Sequence, residues 1–167
     1  MVRRTALVFG VLTAGVRAAR PARAASVIRQ PGQHVDYSFE AEPHLSFGLN
    51  PPGRAPGGAG LGFRGTVELV DPGFVKTIND TIGIGFGAEV FSFGSSVVWV
   101  PVVMQWNFWL TEKWSVFGEP GGGFYLGNAS GARPAFYAGG RYQFSDSLAL
   151  TLRAGFPALS VGVSFFP

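Results

Sequence analysis

The chain has 167 residues, which allows one domain of ordinary size. It contains no cysteine, which excludes a disulfide framework and a thiolate metal site. Only 14% of the residues are charged, whereas a soluble enzyme normally has a densely charged surface. A formal charge of +3 and a pI of about 9.7 suggest nucleic acid as a partner at first sight.

Residues 1–25 predict a secretory signal peptide. They begin with basic residues, continue with an apolar run over 6–16 and end in small residues. This run is too short to anchor the chain in a bilayer. We favour export by the general secretory route, and the Arg3-Arg4 pair leaves twin-arginine export as an alternative. Five of the 13 basic residues lie in this segment, so its removal leaves eight basic against 10 acidic residues. We therefore expect export through the inner membrane and no nucleic-acid partner.

The segment 26–42 is polar and irregular, and we interpret it as an N-terminal tail or lead-in. From residue 43 to residue 167 the dominant pattern is alternation between apolar residues and small or polar ones. Such alternation places the two sets of side chains on opposite faces of a strand. The predicted strands are 44–49, 61–69, 82–90, 96–110, 114–126, 136–144, 148–156 and 159–166.

Eight alternating strands fit two kinds of barrel. A soluble lipocalin-like barrel encloses an apolar lumen, whereas a membrane barrel turns its apolar face outward. Here the polar face consists mainly of glycine, serine, threonine, amides and isolated charges, which suits a narrow interior better than a solvated surface. No run after residue 25 is long and apolar enough for a transmembrane helix. We therefore predict an all-β fold over 43–167, an eight-stranded antiparallel transmembrane up-and-down β-barrel.

The polar face is expected to line a lumen that is plugged by glutamate and arginine. Unpaired charge in a packed interior costs several kcal/mol per ion, so a balanced cluster of both signs is the expected solution. The predicted lumen charges are Arg64, Glu68, Glu89, Glu119, Arg141 and Arg153. The predicted uncharged polar lumen residues are Gln105, Asn107, Tyr137 and Gln143.

The apolar face is expected to contact outer-membrane lipids, with aromatic residues near the strand ends as girdles. This sidedness is clearest in 96–110, where Gln105 and Asn107 fall opposite an unbroken apolar face. Pro101 in the same run cannot donate to the ladder, so we expect it at a bulge or near the outer end of the strand. The predicted lipid-facing aromatic residues are Phe63, Phe86, Trp106, Phe108, Trp114, Phe136, Tyr142 and Phe165.

The signal peptide, the alternating strands and the closing run Leu159-Ser-Val-Gly-Val-Ser-Phe-Phe166 resemble the small outer-membrane β-barrel proteins of Gram-negative bacteria, the OmpA/OmpX-like superfamily. The resemblance implies a location in the outer membrane and the barrel assembly machinery as a partner during biogenesis. It also implies an assembly signal, from which the chain departs by ending in Pro167. We do not expect the peptidoglycan-binding domain that some relatives carry, and no oligomeric state is indicated. The residues of the implied assembly signal are Leu159, Val161, Val163 and Phe165.

Few residues are candidates for catalysis. His44 and Ser46 share the lumen side of the first strand, and some outer-membrane lipid A deacylases use a His-x-Ser pair, although there the pair faces lipid beside a carboxylate. Glu89 and Glu119 could act as paired carboxylates, but without an apolar pocket we interpret them as structural. No metal-ligand spacing is present. We expect no catalytic residue, no metal site and no cofactor.

The sequence therefore favours a non-enzymatic outer-membrane barrel with a structural or interaction role. Three alternatives stay open. The first is a narrow pore for ions or small solutes, and the second is a lipid A-modifying enzyme built around His44 and Ser46. The third is a soluble lipocalin-like binder of an apolar ligand.

Overall fold

The computed structural model describes residues 25–49, 58–93, 95–127 and 129–167. The predicted signal peptide over 1–25 lies outside these residues, apart from its last residue. Within the described ranges, no helix is long and apolar enough to cross a membrane.

Eight strands form one closed barrel in which each strand pairs antiparallel with its neighbours in the chain. The last strand also pairs with the first, so the sheet has no free edge. This arrangement confirms the predicted eight-stranded antiparallel up-and-down barrel. The strands are β1 Phe39–Gly48, β2 Gly58–Val70, β3 Asp80–Phe93, β4 Ser95–Trp109, β5 Trp114–Leu126, β6 Gly131–Ser145, β7 Leu148–Phe156 and β8 Ala158–Phe165.

An even number of strands places the start of β1 and the end of β8 at the same rim, which we call the terminal rim. The connections β2–β3, β4–β5 and β6–β7 also lie at this rim, while the other four connections lie at the opposite rim. Lys76 and Lys113 fall in the first two of these terminal-rim connections.

The alternation in the sequence becomes an inside and an outside of the barrel. In β1, buried His44 and Ser46 alternate with exposed Leu45 and Phe47. Large apolar side chains cover the outside, and Leu61, for example, is 67% exposed. The apolar face therefore points outward and the polar face inward, which is the reverse of a lipocalin-like barrel.

The first strand begins earlier than expected. β1 starts at Phe39, four residues before the expected start of the barrel at residue 43, and Glu40 and Glu42 pair with positions on β2. The alternation in fact extends through this stretch, with Phe39 and Ala41 on the opposite face from the two glutamates. Two acidic residues gave the stretch the composition of a solvated tail, although their side chains are buried in the lumen.

Pro101 does not lie at a bulge or at an end of β4. It is buried in the middle of the strand and faces Gly123 of β5 without a register shift. On the other side, the pairing of β4 with β3 is interrupted between Trp99 and Val102. A proline has no backbone N–H to donate, and its position in this interruption accommodates that missing donor.

Packing requires glycine at some positions of the barrel wall and not at others, as one lumen-side and one outward-facing glycine show. On β7, a Cβ added to Gly155 would collide with the backbone of Phe136 and Tyr137 on the adjacent strand. On β5, a Cβ added to Gly118 would meet no atom within 4 Å. The lumen-side glycine is therefore required by packing, whereas the outward-facing one is not.

We predict that Gly155→Ala destabilises the barrel by about 1–3 kcal/mol, because the backbone of β6 must move to admit the methyl group. The matched control is Gly118→Ala, whose methyl group enters open space and leaves the stability unchanged or slightly higher. Reversible urea unfolding of both variants in detergent micelles measures the difference. Equal midpoints for the two variants would contradict this account of the barrel wall.

Candidate functional site in the barrel lumen

The lumen is filled by side chains in three layers. An aromatic layer lies toward the opposite rim, a charged layer lies in the middle, and an apolar layer closes the terminal rim. The first layer consists of Phe91, Trp99, Val103, Ala135, Tyr137 and Ala158. Within it, the indole N–H of Trp99 donates to the Tyr137 hydroxyl at 3.0 Å, so both polar atoms of these aromatic residues are satisfied.

In the middle layer, two arginines hold Glu119 between them. Arg64 donates from Nη1 to Glu119 at 2.8 Å and from Nη2 to Glu89 at 3.1 Å. Arg153 donates from Nε to Glu119 at 2.9 Å and from Nη1 and Nη2 to the two oxygens of Glu42 at 2.7 and 2.9 Å. All five side chains are buried, so each charge depends on these partners for its stabilisation.

A separate ion pair lies closer to the terminal rim. Nη2 of Arg141 is 2.7 and 2.6 Å from the two carboxylate oxygens of Glu40. The guanidinium carbon of Arg141 also lies 5.2 Å from the ring centre of Phe117 and 5.6 Å from that of Phe166. Aromatic faces are favourable neighbours for a desolvated guanidinium, and they supplement the single carboxylate partner.

The structure thus brings together most of the predicted lumen charges and leaves one apart. Arg64, Glu89, Glu119 and Arg153 form one network, and Arg141 lies beside it. Glu68 is only half-buried near the terminal rim, and it contacts none of the three arginines within the described residues. The predicted cluster of three glutamates and three arginines is therefore wrong in its acidic members. Glu40 and Glu42, rather than Glu68, form ion pairs with Arg141 and Arg153.

The predicted uncharged polar residues of the lumen are all buried. Gln105 donates from its amide to Glu119 at 2.9 Å, which ties it to the charged network. Tyr137 belongs to the aromatic layer, where its hydroxyl accepts from Trp99. Asn107 and Gln143 lie nearer the terminal rim, where Gln143 faces Ala149 of the apolar layer on the neighbouring strand.

The segment 25–38, which we call the strap, closes the terminal rim. Its backbone pairs with the β4–β5 connection through Ser26 and Thr111, and Val27 donates to the carbonyl of Leu110 at 3.0 Å. The ring of His34 stacks on Trp109 at 5.1 Å. The apolar layer that the strap completes consists of Val27, Val35, Tyr37, Trp109, Ala149 and Phe166. The expected tail is therefore a packed part of the barrel.

Tyr37 shows how completely the strap excludes water. It lies outside the strands, and its ring packs edge-on against Phe166 at 4.9 Å. Burial raises the pKa of the Tyr37 hydroxyl to about 12, because the phenolate is disfavoured where water cannot reach it.

His44 and Ser46 lie side by side on β1 and face the lumen, as predicted from the alternation. The hydroxyl of Ser46 donates to Glu89 at 3.3 Å rather than to the imidazole. The geometry therefore lacks the hydrogen bond between a nucleophile and its base that hydrolysis requires. Both side chains are also enclosed by the wall, away from the outer face where a lipid would lie. Among the residues that the structure describes, no cluster of potential metal ligands occurs.

The predicted lipid-facing aromatic residues all lie on the outer face. Phe63, Phe86, Trp114, Phe136 and Phe165 are exposed, with Phe136 the most exposed at 63%. Trp106, Phe108 and Tyr142 are half-buried because they pack against other aromatic rings on the same face.

The residues of the implied assembly signal alternate along β8. Leu159, Val163 and Phe165 are exposed on the outer face, and Val161 between them is half-buried. Phe166 turns inward instead and joins the apolar layer at the terminal rim.

Comparison with known proteins identifies the fold and nothing finer. No protein-family model matches the chain, and no curated protein matches it. A de novo designed transmembrane β-barrel is similar at 14% identity and a TM-score of 0.52, covering 83% of this chain and 98% of the design. The Yersinia pestis outer membrane protein Ail is similar at 10% identity and a TM-score of 0.51, covering 78% of this chain and 99% of that one.

The N-terminal β-barrel domain of Pseudomonas aeruginosa OprF is also similar, at 11% identity and a TM-score of 0.51, covering 76% of this chain and 95% of that domain. Together with the closed barrel and its outward apolar face, these likenesses define the class. The chain has the fold of the small eight-stranded transmembrane β-barrels.

We predict that Arg141→Leu lowers the free energy of unfolding by about 3–5 kcal/mol, because it leaves the buried carboxylate of Glu40 without its guanidinium partner. The control is the double variant Arg141→Leu/Glu40→Leu, which removes both charges and recovers most of the loss. Thermal and urea unfolding of the three proteins measure the coupling. An unchanged melting temperature in Arg141→Leu would show that this ion pair is wrongly assigned.

Proposed function

We propose that the protein is a non-enzymatic β-barrel of the outer membrane with a structural or interaction role and a closed lumen. A continuous apolar outer face needs lipid to cover it, and the similar solved barrels of Ail and OprF come from outer membranes. On this proposal, lipids of the outer membrane cover the outward aromatic residues, and the polar turns at the terminal rim face water.

The network of ion pairs across the lumen is the main support for a closed lumen. The chain of contacts from Glu42 through Arg153, Glu119 and Arg64 to Glu89 joins β1, β7, β5, β2 and β3 across the middle of the barrel. An eight-stranded barrel has room for side chains in its interior but not for a wide aqueous channel as well. Aromatic side chains on one side and the strap on the other add further closure.

The same observation argues against the alternative functions. A narrow pore requires the central ion pairs to separate, which exposes buried charges at a cost of several kcal/mol. A lipid A-modifying enzyme requires the His44–Ser46 pair to reach lipid, but the pair faces the lumen. A soluble binder of an apolar ligand requires an apolar cavity, whereas here the interior is filled by side chains and its middle layer is charged.

The route to the membrane is part of the proposal. Residues 1–25 direct export through the inner membrane, and the barrel assembly machinery reads the alternating outward residues Leu159, Val161, Val163 and Phe165. The proposed role involves no metal, cofactor or nucleic acid.

We predict that the purified protein, reconstituted in planar lipid bilayers, produces no conductance steps. A wide porin in the same bilayers serves as the control for insertion and detection. Heat-modifiable migration of the reconstituted sample on a detergent gel shows in parallel that the barrel is folded. Reproducible single-channel steps from folded protein would favour the narrow pore over the closed barrel.

We also predict that the protein expressed with residues 1–25 is recovered from the outer-membrane fraction and needs detergent for extraction. The physical reason is the exposed apolar face, which water does not solvate. Recovery of the folded protein in the soluble periplasmic fraction would contradict the proposed location.

A further inference from the structure

Two outward-facing residues of β3 are buried although they lie on the outer wall of the barrel. Asp80, Ile82 and Ile84 share the outward side of this strand, because side chains alternate and buried Thr81 lies on the lumen side. Ile84 is 43% exposed, whereas Ile82 is only 5% exposed and Asp80 is fully buried. Something outside the wall therefore covers the first two outward positions of β3.

Trp106 of β4 and the connection between β2 and β3, residues 71–79, form this cover. Trp106 lies directly opposite Ile82, and its indole N–H donates to a carboxyl oxygen of Asp80 at 2.7 Å. The ring of Phe74, from the connection, packs edge-on against Trp106 with 5.7 Å between the ring centres. The connection therefore folds back over the outer face instead of extending away from the terminal rim.

Gly73 allows the connection to lie close to the wall. Its backbone N–H donates to the carbonyl oxygen of Asp80 at 2.7 Å. A Cβ added to Gly73 would collide with the carboxyl group of Asp80, so a larger residue would push the connection away from the strand. Asp80 thus holds the connection through its backbone and Trp106 through its side chain.

The folded-back connection presents an apolar surface to the outside. Phe74 remains 62% exposed, and Trp106 beneath it also packs against Phe108 with 4.8 Å between the ring centres. Three aromatic rings therefore continue the apolar outer face from β4 onto a turn of the terminal rim. Exposed aromatic surface of this kind is unfavourable in water and favourable against lipid.

The hydrogen bond to Asp80 changes the depth at which Trp106 can lie in a bilayer. A membrane-facing tryptophan normally lies at the interface, where water and headgroups satisfy its N–H. Trp106 has its acceptor within the protein, so its ring can lie among acyl chains without leaving a donor unsatisfied. Exposed Trp114 lies four residues nearer the rim than Gly118, the residue opposite Trp106. In a strand tilted by about 40°, four residues span roughly 10 Å along the barrel axis.

We propose that residues 71–79 form a lipid-contacting turn, in which Phe74 lies beside Trp106 among the acyl chains at the edge of the bilayer. Asp80 is the positioning residue of this surface, because it holds both Trp106 and Gly73. This inference rests on the proposed membrane location and goes beyond it, since it assigns one turn of the terminal rim to the membrane. The partner is the acyl chain of a bilayer lipid.

The first test compares labels at three positions. The chain has no cysteine, so Phe74→Cys, Lys113→Cys and Leu152→Cys each carry one nitroxide label. Lys113 is exposed in another terminal-rim turn, and Leu152 is exposed on the outer wall of β7. In phospholipid nanodiscs, the label at 74 should resemble the one at 152, with strong relaxation by oxygen and weak relaxation by a water-soluble nickel chelate.

Each other outcome of this comparison has a separate meaning. A label at 74 that resembles the one at 113 would place the turn in water and overturn the inference. Shielding of position 74 from both reagents would show that protein, such as a second copy of the chain, covers Phe74, which also overturns it. Strong relaxation of the label at 152 by the nickel chelate would contradict the proposed membrane location itself.

The second test measures the depth of the two outward tryptophans. The chain has 4 tryptophans, and Trp99 and Trp109 are fully buried in the lumen. The Trp114→Phe variant therefore reports on Trp106, and Trp106→Phe reports on Trp114. Lipids brominated near the chain end should quench the first variant more, and lipids brominated near the headgroup should quench the second more. Equal depth profiles would overturn the assigned depth of Trp106.

The role of Asp80 is tested in the Trp114→Phe background. Asp80→Leu removes the acceptor, so the indole N–H must find a partner at the interface, and quenching should shift toward the headgroup bromines. The matched control Asp80→Asn keeps an acceptor oxygen and should keep the deep profile. An unshifted profile in folded Asp80→Leu would refute the positioning role. If Asp80→Leu does not fold, as judged by heat-modifiable migration, the comparison of Trp106 with Trp114 still decides the depth.

Discussion

The cost of burying charge is the constraint on which this barrel depends. The lumen is too narrow to hydrate its glutamates and arginines, so each carboxylate needs a donor within hydrogen-bond distance. Arg153 satisfies this requirement for Glu42 and Glu119 with both edges of its guanidinium. Side chains of this length fit only where other lumen positions are small. The glycines and serines on the polar face of the strands therefore leave the room in the lumen that the ion pairs occupy.

A lumen filled in this way restricts where the protein can act. Among the residues that the structure describes, aromatic, charged and apolar side chains fill the interior, and the strap covers the terminal rim. Contacts with other molecules must then involve the outer face or the two rims. The outer face is apolar and suited to lipid, whereas the terminal rim has the polar turns that contain Lys76 and Lys113. This division agrees with a structural or interaction role better than with transport.

The sequence predicts the fold well because alternation is a local property of each strand. It predicts the site only in part because ion pairs join residues that are far apart in the sequence. The period of two is visible in every strand, and it places Gln105 and Asn107 inside and Trp106 outside. Partners such as Arg153 and Glu42 are 111 residues apart, and the closure of the barrel decides that they meet. The stretch 39–42 could have been recognised as part of β1 by its alternation. The strap over 25–38 is not a strand of the barrel, and backbone hydrogen bonds with turns hold it in place, so its sequence shows no period that would predict its position.

The same ion pairs also explain how the barrel is closed. β1 and β8 form the seam between the ends of the sheet, and hydrogen bonds of the ladder alone could permit other registers there. Glu42 on β1 reaches across β8 to Arg153 on β7, and Glu40 on β1 reaches further to Arg141 on β6. A shift of β1 by one residue would turn both glutamates toward the apolar outer face, leave Arg141 without its carboxylate and leave Arg153 with Glu119 alone. The buried charges therefore select the register of the seam, so the barrel closes and its buried ion pairs form in the same step.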